Sequence, residues 1–281
     1  MQYLYYNGQF LPENQAIFTA NNRGFCYGDA LFESMVLFDG KIPFWQAHLT
    51  RLENSSRILA FKLNGYSSKE NLHQACLTLA QKNNIGKNAR LRLQVFRAAG
   101  GLYTPTNNNT EIIITLKPLN NNNFVWQKKG LTLGVYQNMV KQYNLLANLK
   151  TNNCLPYIMG ALYKQQQAFD DCCIINDQGR IAETISANVF AVSNNKLYTP
   201  PLTEAGVAGI MRQKVLFLAQ KMGVNCNEIP IHPIDLPHFD EIFLTNAVQG
   251  IKWVKNYEKK MYNTKVSYLI FQELLKHVKE K

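Results

Sequence analysis

The sequence predicts a mixed α/β (α+β) fold in two domains, and three observations predict it. Apolar patterns of period two and period 3.6 alternate along the chain, so strands and helices intermix. A polar, turn-rich run without periodicity, PLNNNNF at 118–124, interrupts them. The 281 residues, 46% of them hydrophobic, suffice for two medium cores. The expected division is an N-terminal α/β domain at 1–117, a linker at 118–124 and a larger C-terminal domain at 125–281.

The first segment opens as a hairpin: LYY, the turn signal Asn7-Gly8, then QFLP. The strand LFESMVLF follows and is turned back by Asp39-Gly40 into KIPF. A helix then runs about fourteen residues from Trp45, with the seam Trp45, Leu49, Leu52, Ser56 and Leu59. A second helix covers Lys69 to Lys82, and the β-rich runs ARLRLQVFRA and EIIITLK complete the unit. Past the linker come strand LTLGVY, a helix after Lys150, strand CCIIN, a turn at Asp177 to Gly179, and strands around ANVFAV and KLYTP. A helix from Gly209 has the seam Met211, Val215, Leu218 and Met222, and strand EIFLT and a helix ending at Lys281 follow it. GxGxxG is absent, which leaves a dinucleotide fold with little support.

The net charge of +11 raises the question of nucleic acid, because clustered cations gain affinity by releasing phosphate counterions. Here the cations are dispersed; the densest stretches, KWVKNYEKK and KHVKEK, read as solvated faces. Such a field also suits a small anionic ligand. The six cysteines form no CxxC pair and have no histidine at zinc-ligand spacing, so reduced, packed thiols and no metal are expected. No apolar run nears the roughly 20 residues of a membrane helix, and MQYLYYNGQF lacks a signal-peptide layout. These readings predict a cytoplasmic protein that binds neither nucleic acid nor membrane.

Several residues carry two readings each. Glu183 stands where a buried strand is expected, and a carboxylate there is costly unless paired; the plain alternative is an edge strand with Glu183 facing water. Lys150 precedes a helical pattern, as many surface lysines do. Gly209 and Ile210 fall at a helix start, where free N–H groups bind anions, although Gly206 and Gly209 also fit a simple turn. Arg51 lies one residue off the Leu49–Leu52 seam and one turn from His48, so it points either to a ligand or to an acid such as Glu53 or Glu111. Arg97 and Tyr103 lie in VFRAAGGLYTP, where Gly100 and Gly101 permit flexing or close approach. Tyr103 reads equally as a packing aromatic; Trp45 and Phe32 read as core.

Taken together, RGFCYGDALFE at 23–33, AHLTRL at 47–52, Lys150 with Asn153, Glu183 with Asn188, AGVAGIMRQ at 205–213 and DEIFLTNA at 240–247 resemble class IV aminotransferases and their aminodeoxychorismate lyase relatives. The resemblance spans nearly the whole chain. It implies a fold type IV enzyme with a C-terminal pseudo-barrel, a pyridoxal 5′-phosphate cofactor, a small-molecule amino substrate and a homodimer. By this resemblance Lys150 is the Schiff-base partner and the proton shuttle, and Glu183 contacts the pyridine nitrogen to keep it protonated. Asn188, Arg51, Gly209, Ile210, Thr245 and Asn246 are the further cofactor-binding residues, and Arg97, Tyr103 and Ala247 face the substrate.

Branched-chain aminotransferases usually carry a tyrosine five residues after the lysine and a Thr-Gly-Thr run in the phosphate cup; this chain has Leu155 and Thr245-Asn246-Ala247. The Arg-x-His trap of D-amino acid aminotransferases is missing from AAGGLYTPTNN. The lyases resemble the chain best at GVAGIMRQ, at Asn246-Ala247 and at the Asn153 spacing, but they put an arginine where Leu102 stands, and GDALFES looks more like a transaminase. Conversion of aminodeoxychorismate to 4-aminobenzoate and pyruvate is therefore the leading expectation. The alternatives are an amino acid transaminase of branched-chain or D-amino acid type and a non-catalytic basic binding protein.

Overall fold

A computed structural model describes residues 2–65 and 68–279. They form two compact units, one of residues 1–123 with 150–153, the other of 124–149 with 154–281. The end of the last predicted helix, at Lys281, lies outside the described residues.

The first unit is built on a five-stranded antiparallel sheet. Strands β1 (Tyr3–Tyr6) and β2 (Gln9–Pro12) pair across Asn7 and Gly8, whose φ of 45° and 91° are what a two-residue hairpin turn needs. A five-residue helix, α1 (Arg23–Tyr27), is capped by the Asn22 side chain and leads to β3 (Ala30–Leu37). The expected return strand KIPF does not form: only Phe38 and Lys41 bridge, and Phe44 takes a φ of 61° that ends the extended chain and starts α2 (Trp45–Ile58). Helix α3 (Lys69–Lys82) starts from a Ser68 cap and precedes β4 (Ala89–Arg97) and β5 (Thr110–Pro118).

The sheet order is β2-β1-β5-β4-β3, with α2 against β3 and α3 against β1 and β5. Alternation along β4 sends Leu91, Leu93 and Val95 into the core and Arg90, Arg92 and Gln94 to the other face. Residues 150–153 lie along the outer edge of β3: the Phe32 amide donates to Lys150 O, the Asn152 amide to Ala30 O, and Thr151 bridges Leu31.

The second unit carries a nine-stranded sheet. Strand β6 (Leu131–Lys141) and β7 (Asp171–Asn176) are parallel, and α4 (Leu155–Gln166) is the crossover that parallel pairing requires. Next come β8 (Ile181–Thr184), β9 (Asn188–Ser193), β10 (Lys196–Thr199), α5 (Ile210–Lys221), β11 (Cys226–Glu228), β12 (Glu241–Asn246), β13 (Gly250–Tyr257), β14 (Lys260–Met261) and α6 (Lys265–Lys279). Strand order is β11-β10-β9-β12-β13-β6-β7-β8, with β14 on β13. Its core holds the stacked rings of Phe190 and Phe243, 5.1 Å apart. In CCIIN, burial pushes the Cys172 thiol up to about 12 and the Cys173 thiol well above its usual 9.0, so both pack as inert side chains.

Candidate active site

In the first unit, two cations share one aromatic ring. The Lys150 ammonium nitrogen is 4.4 Å from the Phe32 ring centroid, and the Arg92 guanidinium carbon is 3.9 Å from it. Phe32 is therefore half-buried on the Arg92 face of the sheet, not core as its sequence suggested. Register explains the meeting: Phe32 stands opposite Gln94 and Ser34 opposite Arg92, and Arg92 also reaches Gln94 and Asn152. Arg92 escaped the sequence reading, although its period-two place beside Gln94 on the polar face of β4 was a usable signal. Trp45, also read as core, is half-buried with its ring edge-on to His73 at 5.2 Å.

Behind that face lies a buried triad. Glu33, 1% exposed, accepts from Arg51 through Nε at 2.8 Å and through Nη2, and from His48 Nδ1 at 2.7 Å. Burial works against the Glu33 carboxylate, but the charges of Arg51 and His48 and their hydrogen bonds outweigh it and hold the group down at about 2. Burial lowers His48, against the pull of the Glu33 hydrogen bond and charge, and its Nδ1 faces the carboxylate. Arg51 is thus drawn inward: its Nε and Nη2 meet the Glu33 carboxylate of β3, and neither Glu53 nor Glu111 is the acid concerned. Glu53 pairs with Lys69, and Glu111 accepts from Tyr6.

Arg97 and Tyr103 also stand differently from expectation. Arg97 ends β4, 8% exposed, and donates to Asp29 at 2.8 Å, to Leu59 O at 2.9 Å and to Asn108, so the fold itself uses its guanidinium. Tyr103 is 89% exposed, with its ring 5.6 Å from that of Tyr27. The loop between them takes the close-approach form. A Cβ on Gly100 would lie 2.2 Å from Thr106 Oγ1 and one on Gly101 2.1 Å from Thr104 O, both at positive φ. Buried Arg23 pins the loop by donating to the carbonyls of Gly100, Gly101 and Leu102.

The second unit brings the start of α5, the end of β12 and the start of β9 to one corner. Helix α5 starts at Ile210 behind Gly209, and among the described residues no side chain caps it, so its first amides lack the usual capping partner. Thr245, 1% exposed at the end of β12, pairs in register with Asn188, and its buried Oγ1 has no partner among the described residues. Asn188 Nδ2 donates to Val207 O at 2.9 Å, and a Cβ on Gly209 would meet Asn188 Oδ1 at 1.9 Å. The glycine is thus required by close approach. Asn246 Oδ1 accepts from the Val248 and Gln249 amides, closing the turn that contains Ala247. Asn188 and Asn246 therefore hold the backbone of this corner.

Glu183 lies on the edge strand β8 but faces inward, 4% exposed. Its Oε1 accepts from Lys141 Nζ at 2.6 Å and from the Tyr157 hydroxyl at 2.8 Å, and its Oε2 from the Val207 amide at 3.0 Å. Burial, then Glu183, drives the Tyr157 phenol far above its usual value, so it keeps the proton that it donates to Glu183. Lys141 and Tyr157 carried no sequence signal, since strand and helix periodicity say nothing of what meets across them. Among the described residues no group of three His, Cys, Asp or Glu could hold a metal, and no helix is long and apolar enough to cross a membrane.

The sequence profile of the family described as "Amino-transferase class IV" matches residues 30–257. The aminodeoxychorismate lyase of Vibrio harveyi is 28% identical over 82% of this chain and 83% of its own length. A putative branched-chain-amino-acid aminotransferase of Methanocaldococcus jannaschii is 28% identical over 99% of this chain and 94% of its own. Among solved structures, the branched-chain amino acid aminotransferase of Thermobaculum terrenum in its PLP form superposes with a TM-score of 0.84 at 18% identity, covering 100% of this chain and 95% of that one.

Proposed function

The chain belongs to the class IV aminotransferases, and from that premise we propose that it uses pyridoxal 5′-phosphate to convert 4-amino-4-deoxychorismate to 4-aminobenzoate and pyruvate. The observation that carries the reading is the pair of cations on Phe32: an amine at Lys150 for covalent chemistry, and beside it the Arg92 guanidinium, whose fork suits a substrate carboxylate. Arg92 supplies the carboxylate partner that the sequence lacks at Leu102.

The residues present fit the cofactor. The unpartnered Thr245 hydroxyl and the uncapped start of α5 suit a phosphate, and Glu183 offers Oε2 to a ring N–H. When bound, the cofactor supplies a ring that accepts the electrons released at the substrate carbon. Lys150 would hold the cofactor through its amine, and the same amine would take a proton from the substrate carbon and return one. Arg92 neutralises and orients the carboxylate during those transfers. By analogy with the family the protein works as a cytoplasmic homodimer.

A second reading, amino acid transamination, is favoured by the match to the putative branched-chain aminotransferase over 99% of the chain and by the motif GDALFES. It would differ in where the Lys150 amine returns its proton, on the cofactor side rather than on the substrate side. A paired assay separates the two. Pyruvate released from aminodeoxychorismate, without formation of pyridoxamine phosphate from amino acids, supports the lyase; the reverse supports the transaminase. Borohydride should trap the cofactor on the Lys150 peptide of yellow wild-type protein, and Lys150→Ala should abolish both the trapping and either activity. A colourless protein that takes up no added cofactor would remove both readings.

A further inference from the structure

The partners of Glu183 divide unequally between its two oxygens. Oε1 carries two donors, the Lys141 ammonium and the Tyr157 hydroxyl, whereas Oε2 accepts only the Val207 amide among the described residues. A carboxylate oxygen has room for about two hydrogen bonds, so Oε2 is the one left to take another donor. Its direction is set, because Asn188 holds the Val207 carbonyl from the other side of the same residue.

Lys141 is not a surface lysine that happens to reach inward. Its side chain is 13% exposed, its ammonium also donates to Ala147 O at 3.2 Å, and it lies 5.4 Å from the Tyr157 ring centroid. A buried carboxylate needs a counter-charge, and here the chain brings its own.

We propose that Lys141 and Tyr157 are positioning residues for Glu183: they fill Oε1 and balance its charge, so that Oε2 receives the cofactor's ring N–H while the proton stays on the ring. The proposal rests on the reading of Glu183 as the ring-nitrogen partner. Without Lys141 the carboxylate loses the ion partner that it has among the described residues, and the positively charged hydrogen left for it to draw on is the ring's own. The proton then moves from nitrogen toward oxygen, and the ring becomes a weaker electron acceptor.

The test is the nitrogen-15 chemical shift of ring-labelled pyridoxal phosphate bound to the intact enzyme. Wild-type protein should give the shift of a protonated ring. Lys141→Met should move the resonance toward that of neutral pyridine, Lys141→Arg should hold it near the wild-type position, and Tyr157→Phe should move it the same way as Lys141→Met by a smaller amount. Should Lys141→Met fail to fold, Tyr157→Phe alone decides, since it removes one hydroxyl and no charge. Glu183→Gln separates the two levels of the argument. If it leaves the resonance in place, Glu183 is not the ring partner; if it moves the resonance while Lys141→Met and Tyr157→Phe do not, only the positioning roles are overturned.

Discussion

Replacing Glu33 by Gln should cost the protein about 3 kcal/mol at neutral pH. Glu33 is 1% exposed and holds both Arg51 and His48, so the amide keeps the shape but removes the charge that two donors were built to meet. The drop of the carboxylate from 4.5 to about 2 corresponds to about 3 kcal/mol of preference for the ionised form in the folded state. Full burial leaves little solvent to screen it, and breaking a buried ion pair costs about 3 to 5 kcal/mol in general. The sign follows from linkage. A carboxylate held below its unfolded value contributes stability that is complete above that value and is lost as pH falls through the folded one. Urea unfolding, followed by circular dichroism, should therefore show a gap between wild type and Glu33→Gln that is full at pH 7 and closes between about pH 4.5 and 2. A gap under about 0.5 kcal/mol at pH 7, within the range of ordinary surface changes, or one that does not vary with pH, would refute the argument.

Thr245→Val should weaken binding of the cofactor or of inorganic phosphate by about 10- to 100-fold, the worth of a hydrogen bond to a charged group, while stabilising the unliganded protein by about 1 kcal/mol because a buried orphan hydroxyl is removed. Calorimetry reads both effects, and equal affinity for the two proteins would place the phosphate elsewhere. Arg92→Leu should raise KM for a carboxylate substrate by about 10- to 100-fold with a smaller change in kcat, and Arg92→Lys should recover part of the loss. A change confined to kcat would speak against the anchoring role. Gly209→Ala should reduce cofactor affinity at least about tenfold, since its Cβ would sit 1.9 Å from Asn188 Oδ1, and spectroscopic titration measures it. Arg23→Ala should release the 100–102 carbonyls, destabilise by about 2 kcal/mol and speed chymotryptic cleavage after Leu102 or Tyr103; an unchanged cleavage rate would mean that the glycines alone hold the loop.

What the sequence disclosed was the part of the structure that follows from local periodicity and from single residues with unusual demands. Asn7-Gly8 announced its hairpin because few residues accept two positive φ values, and the Trp45 helix announced its apolar seam. Glu183 was legible because a carboxylate within an apolar strand needs a partner, and Gly209 because a helix starts there. The partners were not legible. Lys141 and Tyr157 reach Glu183 from 42 and 26 positions away, and nothing in their own neighbourhoods marks them out. KIPF misled because alternation favours a strand, whereas Phe44 turns left-handed before α2. Arg97 misled because the glycines after it suggested a loop, while antiparallel pairing carries β4 through to that residue.

The run from Lys150 to Asn153 has a consequence for solubility. In the five-stranded sheet β3 is terminal, and a terminal strand offers unpaired amides and carbonyls to any other chain. The residues from Lys150 to Asn153 shield that rim at Ala30, Leu31 and Phe32, so the same four positions guard against unwanted self-association. A fragment ending before Lys150 would bare the rim, and it should precipitate even where its own core is whole.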